Sequence, residues 1–183
     1  MSTLPATPLP ATPLKFRDDP AFLQDLPYDP EVLLFDELLE IDREKNLIRC
    51  RMDTHAALPL TRSQRAHPVL HPRHVAGGLM VHATGMLGFV HAYYMLGLRH
   101  NEGWIGYGTH IHRVVFRKLV VPGLPIEATC VATRSRIGQK RHLIRYRFDF
   151  FHEGALCYEG EQTAVWMRVD PNDPAAAASL GEG

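Results

Sequence analysis

Residues 76–98, AGGLMVHATGMLGFVHAYYMLGL, contain no Asp, Glu, Lys or Arg, and no other feature limits the possible folds as strongly. A charge-free stretch of this length is buried either in lipid or in protein. His82, Thr84, His91 and several glycines within it, and the strand-like patterns on either side, favour protein. An all-apolar circumference must then be covered on most sides, which predicts one long central helix wrapped by other elements and no membrane span. At 100° per residue Gly78, Gly85, Gly88 and Ala92 share one side, predicting a stripe where a sheet approaches the helix backbone closely.

The flanking sequence supplies the wrapping. Residues 31–42 lead through a charged turn, Arg43 to Asn46, into a strand where Ile48, Cys50 and Met52 alternate with Arg49, Arg51 and Asp53. After the helix a period of two returns. His110, His112, Val114 and Phe116 alternate with Ile111, Arg113, Val115 and Arg117, a strand ended by Pro122-Gly123. A second strand is predicted from about 125 to 136. A third sets Ile144, Tyr146, Phe148 and Phe150 against Arg145, Arg147 and Asp149, and Glu153-Gly154 turns it into a fourth, 155–169. The expected class is α+β, with a curled antiparallel sheet of five to six strands around the helix. Prolines and a tandem LPATP repeat (4–8 and 9–13) predict a mostly disordered tail over 1–29, and 170–183 reads the same way, leaving 30–169 as one domain.

Charge narrows the function. With 20 basic and 20 acidic side chains the formal charge is zero, so no overall field draws the chain to nucleic acid or an acidic membrane. Cys50, Cys130 and Cys157 lie far apart in apolar surroundings and read as reduced core thiols of a cytoplasmic protein, and no secretion signal pattern opens the chain. Locally the balance differs. Between Asp53 and Glu102 there is no acid, while Arg62, Arg65, Arg73, Arg99 and seven histidines lie there. Such a positive stretch suits the phosphates of coenzyme A or of a phosphopantetheine arm, with Arg73, Arg65 and Arg99 as candidate contacts.

At the helix start, Gly77 and Gly78 would let a ligand carbonyl approach unpaired backbone N–H groups. Of the two helix histidines, His82 is the one expected to face that site, since His91 falls on the opposite side. A metal centre is not expected, although His71 precedes His74 by three residues and His110 and His112 share a strand face. Arg134, Arg136, Lys140, Arg141, Arg145 and Arg147 form a second basic run, read as a wet hairpin face or a surface for an acidic carrier protein.

Three segments, LLFDELLEID (33–42), HPVLHPRHVAGG (67–78) and FRKLVVPG (116–123), together resemble the hot-dog family that includes the 3-hydroxyacyl-acyl-carrier-protein dehydratases. The resemblance covers about residues 30–169. It implies a homodimer or dimer of dimers, an acyl chain carried on coenzyme A or an acyl carrier protein, no bound cofactor, and a catalytic pair formed by a loop histidine, here His67 or His71, and a helix carboxylate. The carboxylate's place falls at His82 or Ala83. Val75-Ala76-Gly77-Gly78 also resembles the paired-glycine loop of acyl-CoA thioesterases, with Ala76 in place of their histidine. The expected function is a dehydratase-like reaction using His71, His67 and His82. A thioesterase and a non-catalytic acyl-thioester binder are the alternatives.

Overall fold

The computed structural model describes residues 9–170 and 172. Its elements are Leu14–Lys15 (β1), Pro20–Asp25 (α1), Glu37–Asp42 (β2), Leu47–Met52 (β3), Gly77–Leu96 (α2), Trp104–Phe116 (β4), Ile126–Ile137 (β5), Arg141–His152 (β6) and Ala155–Arg168 (β7). The strands form one seven-stranded antiparallel sheet in the order β1-β2-β3-β5-β6-β7-β4, so six longer strands are joined by a two-residue edge. The α+β class and the single long helix are as the sequence patterns predict.

Alternation explains the packing. Along β6, His142, Ile144, Tyr146, Phe148, Phe150 and His152 are buried while the intervening residues are more exposed. That apolar face, with Ile48, Cys50 and Met52 of β3, shares one core with Leu79, Met80, Ala83, Leu87 and Val90 of α2. The helix stops where Gly97 takes the left-handed conformation at φ 66° and its N–H returns to the Ala92 carbonyl. Glu153 and Gly154, both at positive φ, make the tight β6–β7 turn. All three cysteines are free and buried. No helix among the described residues is long and apolar enough to cross a membrane.

Two expectations are corrected. The ordered domain begins near residue 14 rather than 30. Pro20 occupies the first turn of α1, where its missing N–H costs nothing, and Asp19 accepts the Phe22 N–H at 3.0 Å as the cap. Phe16 and Phe22, 2% and 1% exposed, pack with Tyr94 of α2, and Asp25 accepts the His100 and Asn101 N–H groups at 2.9 Å each. Residues 1–8, 171 and 173–183 lie outside the described part, so the tail reading stands there as an expectation only. The small-residue stripe is the second correction. No atom lies within 4 Å of where a Cβ would stand at Gly85 or Gly88, and Gly78 and Gly85 are exposed, so the stripe is not a close sheet contact.

His91 is fully buried beside Tyr146, with 3.5 Å between its Nδ1 and the phenol oxygen, and its Nε2 has no partner. Burial lowers its pKa from 6.5 to about 4, partly opposed by the Asn46 backbone. The folded chain therefore holds His91 neutral while the unfolded chain protonates it below pH 6.5, so its contribution is complete above that value and lost as pH falls towards 4. The expected loss is about 3 kcal/mol. Urea midpoints at neutral and acid pH should show this drop in the natural chain and a much smaller one in His91→Gln.

Candidate functional site

The start of α2 is placed by the loop before it. The Val75 N–H bonds the Val120 carbonyl at 2.8 Å, and the Ala76 N–H bonds Thr61 Oγ1 at 3.3 Å. Ala76, the N-cap residue, provides no side-chain cap, so the first amides of the helix, from Gly77 and Gly78, stay available. The helix start at Gly77 opens on a cleft of about 340 Å³ whose lining includes His74, Gly77, Met80, Phe116, Lys118 and Val120. A Cβ on Gly77 would stand 2.9 Å from the Phe116 ring, whereas one on Gly78 would meet only the flexible Leu60 tip at 3.3 Å. Gly77→Ala should therefore displace the Phe116 ring, read as shifted Phe116 ring resonances by NMR, while Gly78→Ala should leave them in place.

His74, rather than His67 or His71, lines this cleft. Its Nδ1 lies 2.8 Å from the Pro72 carbonyl, which can only accept, so the proton sits on Nδ1 and the Nε2 lone pair is free. Gln64 clamps its backbone from both sides, accepting the His74 N–H at 3.1 Å and donating to its carbonyl at 3.0 Å. His67 and His71 pair through their backbones at an exposed turn whose tip, Val69 and Leu70, is about 80% exposed (79% and 81%). His67 Nδ1 accepts the Val69 and Leu70 N–H groups at 3.2 and 2.9 Å. The His71 ring rests 5.1 Å from that of His74.

The remaining predicted residues are not gathered at the cleft. His82 donates Nε2–H to the Val32 carbonyl at 2.7 Å and turns its ring toward Tyr28, so it ties the helix to the segment before β2. Ala83, the other position for a helix carboxylate, is buried. Arg73 is spent within the loop, donating to the Thr61, Arg62 and Gln64 carbonyls at 2.8, 3.3 and 3.3 Å. Arg99 lies past the far end of α2, about 30 Å along the axis from Gly77, where it donates to the Tyr93 carbonyl at 2.5 Å and stacks on that ring. Arg65 is exposed and, like Arg62, makes no ion pair among the described residues. The second basic run is partly neutralised, since Arg145 pairs with Glu161 at 2.7 Å and Arg147 with Asp149 at 3.1 Å. Arg134, Arg136, Lys140 and Arg141 stay exposed and make no ion pair among the described residues. No cluster of metal-ligating groups occurs among the described residues.

A polar cluster that the patterns did not single out lies deeper. Thr84 Oγ1 donates to the Val81 carbonyl at 2.6 Å and accepts from Gln162 Nε2 at 2.5 Å. Tyr158 turns its fully buried hydroxyl toward both side chains. Burial pushes that hydroxyl up to about 12, against the pull of Thr84 and Gln162. Tyr158 can lie this way because its strand neighbour is Gly160, where a Cβ would stand 2.7 Å from the phenol oxygen. A glycine inside a strand is the signal that could have pointed here. Phe116, paired with Tyr158 across the sheet and 5.4 Å from its ring, separates the cluster from the cleft.

Comparison with known proteins finds likenesses to this chain in sequence and in fold. No family model matches. It is 29% identical over 145 residues to a 3-hydroxyacyl-[acyl-carrier-protein] dehydratase, FabZ, of Aromatoleum aromaticum, covering 78% of this chain and 92% of that protein. Its fold is similar to a thioesterase from Haemophilus influenzae (TM-score 0.51, 16% identity, 75% of this chain and 82% of the other). A mutant thioesterase from Pseudomonas aeruginosa matches with TM-score 0.56 at 12% identity, over 89% of this chain and all of the other. With the sheet order above, these likenesses show the hot-dog fold.

Proposed function

We propose that the protein processes acyl groups held as thioesters, and that its reaction is the dehydration of a 3-hydroxyacyl thioester. One observation carries this reading: a histidine with a fixed tautomer and a free Nε2 lines the same cleft as Gly77, at the uncapped start of a 20-residue helix. A thioester oxygen at Gly77 and Gly78 would be polarised by those N–H groups. His74 Nε2 would then remove the proton from C2, and the electron pair would move to the oxygen held by the amides. As that charge returns to form the C2–C3 double bond, the C3–O bond breaks and the imidazolium gives its proton to the departing hydroxyl, releasing water. One histidine serves as base and acid in turn, which suits a helix with Ala83 rather than a carboxylate at that point. The dehydratase relative supports the same choice.

Delivery on coenzyme A or on a carrier protein's phosphopantetheine is part of the proposal, supported by exposed Arg62 and Arg65 near the cleft's loop and by the cationic β5–β6 hairpin. A second copy of the chain fits the free edge of β4, where Tyr107, Ile111 and Phe116 are 40%, 59% and 53% exposed. Three free buried thiols are consistent with a cytoplasmic setting. The test is mass spectrometry of products after incubation with a 3-hydroxyacyl thioester and, separately, its saturated analogue. Loss of water from the first alone is expected. Release of free thiol from either would move the reaction to hydrolysis, and no change in either would leave a binding protein.

A further inference from the structure

We infer that Arg73 is a positioning residue for His74 and for the helix start, acting through the 61–64 loop rather than on a phosphate. The inference rests on the reading of His74 as the base and adds the group that holds it in place. Residues 61–66 and 72–76 are the two arms that flank the His67–His71 turn, and no backbone–backbone hydrogen bond joins them. Side chains make the hydrogen bonds between the arms instead. Arg73 donates to the Thr61, Arg62 and Gln64 carbonyls, Gln64 binds the His74 backbone on both sides, and Thr61 Oγ1 accepts the Ala76 N–H.

The chemistry of the guanidinium fits this role. Arg73 has no ion pair, and no acid occurs between Asp53 and Glu102, so carbonyl dipoles are what meet its charge. Nη1 takes two of the carbonyls and Nη2 the third, a spacing that one rigid planar group can fix. The shortest of these bonds, 2.8 Å, goes to Thr61, which is 0% exposed and so ties the loop to the interior. Its hydroxyl sets Ala76, the residue before the first helical amide. The Gln64 carbonyl belongs to the residue whose side chain grips His74. Pro72, whose carbonyl fixes the His74 tautomer, immediately precedes Arg73. Releasing the guanidinium therefore loosens the base and the helix start together.

The test is steady-state kinetics on two 3-hydroxyacyl thioesters, one of coenzyme A and one of pantetheine, which lacks the phosphates. The natural chain is compared with Arg73→Ala and Arg73→Lys. Both variants are expected to lose about tenfold in kcat on each substrate with KM within about twofold, because charge without the planar fork does not hold the three carbonyls. In a His74→Ala background the Arg73→Ala change should remove less than about a further twofold. Nitrogen NMR of the His74 imidazole should show the Nδ1–H tautomer in the natural chain and a mixture of tautomers in Arg73→Ala. A KM increase confined to the coenzyme A thioester, with kcat kept, would return Arg73 to the phosphate. That result, an undiminished kcat in both variants, or the full loss repeated without His74 would overturn the positioning role while the acyl-thioester reading stands. If the natural chain turns over neither substrate, that reading falls and the imidazole spectrum decides alone: a tautomer unchanged in Arg73→Ala overturns the clamp as well.

Discussion

His74→Ala is expected to lower kcat on a 3-hydroxyacyl thioester by about 10³-fold, the scale of losing a positioned general base, with thermal stability nearly unchanged because the half-buried ring makes no hydrogen bond beyond the Pro72 carbonyl. His67→Ala and His82→Ala should stay within about threefold in kcat. The first removes a ring that accepts two amides at an exposed turn, and the second cuts a tie to the Val32 carbonyl, costing about 1 kcal/mol of stability instead. Gln64→Ala should fall between, as it releases the His74 backbone without removing the imidazole. Steady-state kinetics with matched thermal melts separates these cases. A His74 variant with normal turnover beside an inactive His71 or His67 variant would return the base to the exposed turn.

Phe22→Ala should cost about 4 kcal/mol, within the range for truncating a buried phenylalanine. Phe22 is 1% exposed, 5.1 Å from the Phe16 ring, 5.0 Å from Tyr93 and 5.3 Å from Tyr94. These contacts fasten α1 to the end of α2, where Tyr94 also donates to Asp19 at 2.8 Å. Urea unfolding reads the loss directly. A variant with an unchanged midpoint would mean that the segment before residue 30 contributes nothing to the core.

The helix and the strands after it were legible because their burial has a simple period. Ile144 to Phe150 alternates cleanly, and a charge-free run of that length has few places to go. The amino-terminal segment was less so. Proline density outweighed Phe16 and Phe22, although Asp19-Pro20 is itself a helix start. At the site, sequence reading pointed to the loop and helix end that border the cleft, and named His67 and His71 where the lining histidine is His74. His67, His71 and His74 differ in which carbonyls and amides their rings meet, and that depends on the turn at 67–71, which no spacing reveals. Arg73 is a similar case, since a guanidinium facing three backbone carbonyls of its own loop has the same sequence signature as one awaiting phosphate. Tyr158 and Gln162 fall within the predicted strand 155–169, and their meeting with Thr84 depends on how that strand packs against the helix.

The most direct measurement is the reverse reaction in deuterium oxide, adding a 2-enoyl thioester and following the product by NMR. Hydration at C3 with deuterium entering at C2 is the expected result, abolished in His74→Ala and kept in His67→Ala. Thiol release without hydration, or hydration and labelling undiminished in His74→Ala, would contradict the assignment of His74 as the group that moves the C2 proton.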